Sequence, residues 1–125
     1  MDPLISVIMS VHNEKEYVSD AINSILAQTY QNFELIIIDD YSNNETADIC
    51  NEFYKKWPSK IRLFRNEDNI GLTKSLNLGL KYANGDFIAR MDADDISLNH
   101  RFKTQINYLI NNPDIELVGS FYDEI

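Results

Sequence analysis

The sequence predicts an α/β fold: a doubly wound, mostly parallel sheet in a single domain. Three observations carry this reading. Apolar segments alternate in period along the chain, strand-like and then helix-like, which is the rhythm of a parallel sheet covered on both faces. The strand-like segments are short, continuous and rich in branched residues, as strands buried on both faces are. The length of 125 residues suits one domain with one core.

"LISVIMSV" (4–11) reads as the first strand. From Glu14 the period becomes helical, with Tyr17, Val18, Ala21, Ile22, Ile25 and Leu26 on one face, Tyr17 expected in the core. "FELIIID" (33–39) is the second strand, and "NETADICNEFYKKW" (44–57) a weaker helix that ends before Pro58. "IRLFR" (61–65) is the third strand. A third helix follows Gly71, with Leu72, Leu76 and Leu80 spaced by four and Gly79 allowing close packing. "NGD" (84–86) marks a turn before a fourth strand, "FIARM" (87–91). "LNHRFKTQINYLINN" is a fourth helix with Phe102, Ile106, Leu109 and Ile110 inward, stopped by Pro113, and "IELVGS" (115–120) reads as a fifth strand. The ending "GSFYDEI" has neither a stop signal nor a polar tail, so the chain reads as the first half of something longer.

A hydrophobic content of 44% and a charged content of 25% are ordinary for a soluble globular protein. Eleven basic residues against twenty acidic ones give a net charge of −9, which argues against nucleic acid as a partner. A nucleotide stays compatible, because one metal ion offsets its charge. The lone Cys50 cannot build a disulfide framework and fits a reducing compartment. "MDPLISVIMSVHNE" lacks the basic start of a signal peptide, and no apolar run reaches membrane-span length.

"MDADDIS" (91–97) crowds Asp92, Asp94 and Asp95 together. Two such charges about 4 Å apart repel by roughly 4 kcal/mol at an effective dielectric near 20. Taken alone, "DADD" is more often a solvated turn or a helix N-cap. Open parallel sheets, however, bind ligands at the carboxyl ends of their strands. The first strand ends in His12, Asn13 and Glu14, the second in Asp39 and Asp40, the fourth in "DADD". If the first strand lies between the other two, Glu14, Asp39, Asp40, Asp92, Asp94 and Asp95 share one rim, with Lys74 and Arg90 as candidate cations. Such a rim suits a hard divalent ion, Mg2+ or Mn2+, with phosphate oxygens on its free positions. His12 and His100 have no ligand spacing and read as structural or surface residues, and Phe102 reads as core.

Other acidic motifs fail on spacing. An EF-hand starting at Asp92 would need an acidic or amide group, glycine and glutamate where Ile96, Ser97 and Lys103 stand. A dinucleotide-binding unit needs glycines after the first strand, and "SVHNEKE" has none. A receiver-like phosphoacceptor module lacks its acidic pair after strand one and its late lysine. A haloacid-dehalogenase-type phosphatase would carry its aspartates after the first strand, not the fourth.

The segments "ISVIMSVHNEKEYVSDAINSILAQTYQNFELIIIDDYSNNET", "NIGLTKSLNLGL" and "NGDFIARMDADD" together closely resemble family 2 glycosyltransferases, particularly those that build bacterial capsule, lipopolysaccharide or exopolysaccharide. The resemblance spans essentially the whole chain. It implies the GT-A fold, a Rossmann-like nucleotide-diphospho-sugar transferase half. It further implies that residues 1–125 form a single nucleotide-sugar-binding domain, the N-terminal part of a longer enzyme. By that similarity the loop Ser10, Val11, His12 and Glu14 lines the nucleobase pocket, and Asp39 and Asp40 read base and ribose, Asp40 being favoured for the base. Lys74 serves the phosphates. In the DxD motif Asp94 is the direct metal ligand, Asp92 a metal or ribose partner, and Asp95 a sugar-facing group. His12 departs from the tyrosine usual in the family. The implied activity is inverting, metal-dependent transfer from a nucleotide sugar, expected to be a UDP-sugar, to a glycan or lipid-linked acceptor. The general base is expected beyond residue 125, so this stretch alone is expected to bind rather than transfer. Peripheral association with the cytoplasmic face of the membrane and homodimerisation are further expectations. The alternatives are the receiver-like module and a donor-binding domain without catalysis.

Overall fold

The computed structural model describes residues 2–112. Four strands, β1 (Ile5–Val11), β2 (Phe33–Asp39), β3 (Ile61–Arg65) and β4 (Phe87–Arg90), alternate with four helices, α1 (Val18–Leu26), α2 (Asn44–Lys56), α3 (Leu72–Tyr82) and α4 (Arg101–Asn111). The sheet is parallel throughout, in the order β3-β2-β1-β4. β1 therefore lies between β2 and β4, the arrangement on which the shared rim depends. Its last residue, Val11, stands beside Asp39, and Ile8 stands beside Arg90. The expected fifth strand, 115–120, lies outside the described residues.

Helices cover both faces of the sheet. Ile5, Val7, Met9 and Val11 of β1 meet Ile22 and Ile25 of α1, Cys50 of α2, and Phe102 and Ile106 of α4 in one buried cluster. The rings of Phe33 and Phe102 meet edge to face, 6.0 Å between centroids. Each fully buried aliphatic side chain there contributes about 1.5–3 kcal/mol. On the opposite face α3 lies against Ile8 through Gly79, and Ser75, one turn earlier, is buried as well.

That packing differs from the expected leucine face. Leu72 and Leu80 are each 49% exposed, because the branched side chain of Ile8 occupies the space and only small residues fit above it. A Cβ on Gly79 would lie 2.4 Å from Ile8 Cγ2. Tyr17, expected inside, is 53% exposed. It precedes α1 as its N-cap residue, since Glu14 C=O takes the N–H groups of both Tyr17 and Val18 in a turn before the helix proper. At the other end of the chain Ile110 is also exposed while Phe102 and Ile106 are buried, so the apolar stripe of α4 is narrower than expected.

α2 begins with a side-chain cap: Asn43 accepts the Thr46 N–H at 3.0 Å. α4 starts at Arg101, later than the sequence period suggests. The preceding carbonyls are used elsewhere, Leu98 C=O by the Gln28 amide and Asn99 C=O by Thr29 N–H, both at 2.7 Å.

Candidate functional site

The carboxyl ends of β1, β2 and β4 open onto a cleft of about 360 Å³. Its lining includes His12 and Glu14 after β1, Asp40 after β2, Asn69 and Gly71 before α3, and Arg90, Asp92 and Asp94 at the end of β4. The acidic end is a turn in which Asp95 N–H bonds to Asp92 C=O at 3.1 Å. Met91 and Ala93 are buried and anchor that turn, which leaves Asp94 exposed and Asp92 and Asp95 half-buried. One oxygen from each of Asp92, Asp94 and Asp95 lies within 4.8 Å of the others. The turn is also stitched to α1. Ser97 N–H donates to Ser24 Oγ at 3.1 Å, and buried Gln28 spans from Leu98 C=O to the Phe102 N–H, which donates to its Oε1 at 3.1 Å.

Glu14 faces this turn. Burial, and then the neighbouring charge of Asp94, push its carboxyl above the usual range, against the opposing influence of His12. Asp92 is met by Arg90, whose Nε and Nη2 both donate to Asp92 Oδ1, at 3.2 and 3.1 Å. Arg90 is the only lysine or arginine among the described residues that line the cleft.

At the other end, Asp40 is buried and holds the loop before α3. Its Oδ1 accepts the Asn66 side-chain amide at 2.9 Å and the Ile70 N–H at 2.8 Å, and its Oδ2 accepts the Gly71 N–H at 2.9 Å. Burial opposes its charge, but these bonds, with His12 nearby, keep its carboxyl below the ordinary range. Gly71 sits at φ 93°, a left-handed conformation that favours glycine. A carboxylate offers about four acceptor positions, of which Asp40 uses three in these bonds. His12 Nδ1–H donates to Asp40 C=O at 2.8 Å, because a carbonyl can only accept. The Asn69 side-chain amide lies over the same ring, 3.1 Å from each of its two nitrogens.

The other expected site residues lie differently. Asp39 does not line the cleft. Arg65 Nη1 donates to its Oδ2 at 2.8 Å and Ser42 N–H to its Oδ1 at 2.9 Å, so it ties β2 to β3. Val11 contributes main chain only at the rim. Its side chain is in the core while its C=O accepts Asp40 N–H at 2.7 Å. Lys74 is exposed on the first turn of α3 and does not line the cleft. His100 is exposed and bonded to Asn99, away from the cleft. Sequence reasoning passed over Asn69, Asn66, Gln28 and Ser42. Asn69 opens the quoted "NIG" segment, but amides carry no spacing signature that separates them from turn residues.

This parallel sheet with its acidic rim after β4 is the GT-A fold of glycosyltransferases. TarS of Staphylococcus aureus, residues 1–349 in complex with UDP, superposes with a TM-score of 0.77 at 25% identity, over 87% of this chain and 32% of that one. Residues 6–124 match the family model described as glycosyl transferase family 2, and the chain belongs to that family. Among relatives, EpsE of Bacillus subtilis is 38% identical over 94% of this chain and 42% of its own length. The UDP-Glc:alpha-D-GlcNAc-diphosphoundecaprenol beta-1,3-glucosyltransferase WfgD of Escherichia coli is 38% identical over 96% of this chain and 46% of its own. The chain thus spans less than half the length of these relatives. Family membership leaves no place for the receiver-like alternative. No helix among the described residues is long and apolar enough to cross a membrane.

Proposed function

We propose that these residues form the donor-binding half of an inverting, metal-dependent glycosyltransferase that uses a UDP-sugar and serves the synthesis of bacterial surface polysaccharide. The observation that carries the proposal is the position of β1 between β2 and β4. In a family 2 chain, it turns Glu14, Asp40 and the Asp92–Asp95 turn toward one cleft. The names of WfgD, which uses UDP-Glc, and of the TarS complex with UDP support a uridine nucleotide as the donor carrier.

The residues present fit a divalent cation. Asp92, Asp94 and Asp95 offer hard oxygen donors at close range with no thiolate or imidazole among them, a set suited to Mg2+ or Mn2+. Asp94, the exposed member that also presses on Glu14, would hold the ion, with Asp92 as its partner and Asp95 in support. When bound, such an ion stabilises the negative charge that develops on the leaving diphosphate oxygen. Loop 10–14 and Asn69 would flank the base, and Asp40 would fix the loop wall and offer its remaining acceptor position to a base N–H. Lys74 is assigned no contact. The general base that takes the acceptor's proton is assigned to the part of the relatives that this chain does not span. The acceptor would be a glycan or a lipid-linked glycan.

Titration calorimetry of UDP with and without manganese, on the wild-type chain and on Asp94→Asn, tests this reading. Manganese-dependent binding that the substitution abolishes supports it. Absence of UDP binding in either condition overturns it.

A further inference from the structure

We propose that Arg90 is an internal counter-ion of the acidic turn, which releases Asp92 when a divalent cation arrives and moves to the diphosphate of the nucleotide. The inference rests on the donor-site reading above and adds a residue to it. Charge is the first argument. The cleft is lined by Glu14, Asp40, Asp92 and Asp94, with Asp95 beside them, and a diphosphate would bring further negative charge. Among the described lining residues only Arg90 carries an obligate positive charge against it.

Geometry is the second. Arg90 places two donors, Nε and Nη2, on one oxygen of Asp92, a carboxylate of the cluster that would hold a cation. The guanidinium fork suits the paired oxygens of a phosphate equally well.

Mobility without loss of packing is the third. The main chain at Arg90 is fixed, its C=O accepting Arg101 Nη2 at 3.1 Å and its strand position paired with Ile8. The side chain itself is 55% exposed and Asp92 is 44% exposed. An ion pair this open to solvent holds its partners weakly, so exchanging Asp92 for phosphate disturbs no core contact. The same exposure means that removing the side chain leaves the fold intact.

The test is calorimetry of the chain with MnCl2 alone, and then with UDP at saturating MnCl2, for wild type, Arg90→Met and Arg90→Lys. Without the competing guanidinium, Arg90→Met binds manganese alone about two- to fivefold more tightly, the span of an exposed ion pair. It binds UDP in the presence of manganese about tenfold more weakly, as expected for a lost charge-assisted contact. Arg90→Lys, which keeps the charge but not the fork, falls between wild type and Arg90→Met in both titrations. Equal affinities in wild type and Arg90→Met overturn the inference. A loss of UDP affinity with no gain for manganese also overturns it, since that describes a phosphate contact that never held Asp92. If the wild-type chain binds neither MnCl2 nor UDP, the donor-site reading itself fails, and the inference falls with it.

Discussion

The Asp40 carboxylate accepts the Gly71 N–H at 2.9 Å across 31 residues of sequence, and its other oxygen accepts the adjacent Ile70 N–H. One buried side chain at the end of β2 thereby shapes the loop that walls the cleft and starts α3. Asp40→Asn puts an NH2 group where a backbone N–H now donates. It should destabilise the fold by about 1–3 kcal/mol in urea unfolding, the cost of an unsatisfied buried group. Hydrogen exchange checks the cause: the Ile70 and Gly71 amides exchange slowly in wild type, though they lie in a loop, and quickly in Asp40→Asn.

The same carboxylate makes stability depend on acid. Its pKa is held below the ordinary value by the amides it accepts, after burial has worked the other way. In the window below about 3.9, the unfolded value, the unfolded chain binds the proton more readily. The stabilisation is therefore complete above that pH and is lost as pH falls through the lower, folded value. Glu34 acts in the same sense, with burial opposed by hydrogen bonds from Ser6 Oγ, Asn84 N–H and Arg62. Urea midpoints measured from pH 6 down to pH 2 should fall in that window, and fall less steeply for Asp40→Asn.

Gly79→Ala should destabilise the protein by about 1–3 kcal/mol, the usual cost of overpacking a close contact. Glycine-to-alanine changes inside helices ordinarily gain about 0.5–1 kcal/mol. Here the added methyl meets Ile8 Cγ2 at 2.4 Å, on a stiff branched side chain of the central strand. Thermal unfolding of Gly79→Ala and of the double variant Gly79→Ala/Ile8→Val checks the cause, since the smaller partner should recover part of the loss.

Cys50 should be inert in the native state. Burial, and then the charge of Asp39, push its thiol up to about 12, and none of its surface is exposed. A thiol reagent at pH 8 should modify it only at the rate of unfolding, and adding urea should release the reaction.

Much of this architecture could be read from residues. The strand segments ending at Val11 and Asp39 are largely apolar runs, and strand ends of an open parallel sheet are where polar residues converge. What the pattern could not show was which of two adjacent aspartates faces the cleft. β2 is buried on both faces, so no alternation marks the sides, and Asp39 proved to be tied to Arg65. The leucine spacing of α3 misled for a related reason. Periodicity identifies a helix, but the face that meets the sheet depends on the partner, and Ile8 selected Gly79. Tyr17 shows the limit of a boundary read by period: as the residue just before α1, its side chain leaves the apolar stripe.

The strand order has a consequence for how the cleft comes into being. β1 and β2 are joined by one short helical crossover, but β4 reaches β1 only when the turn at Gly85 finds Ser6, 79 residues away in sequence. Closing so long a loop is entropically the costlier pairing. The acidic turn rides on β4, so a partly folded chain carries half of the rim without the other. Any ligand held by both halves would bind only the finished fold and draw the last strand into place.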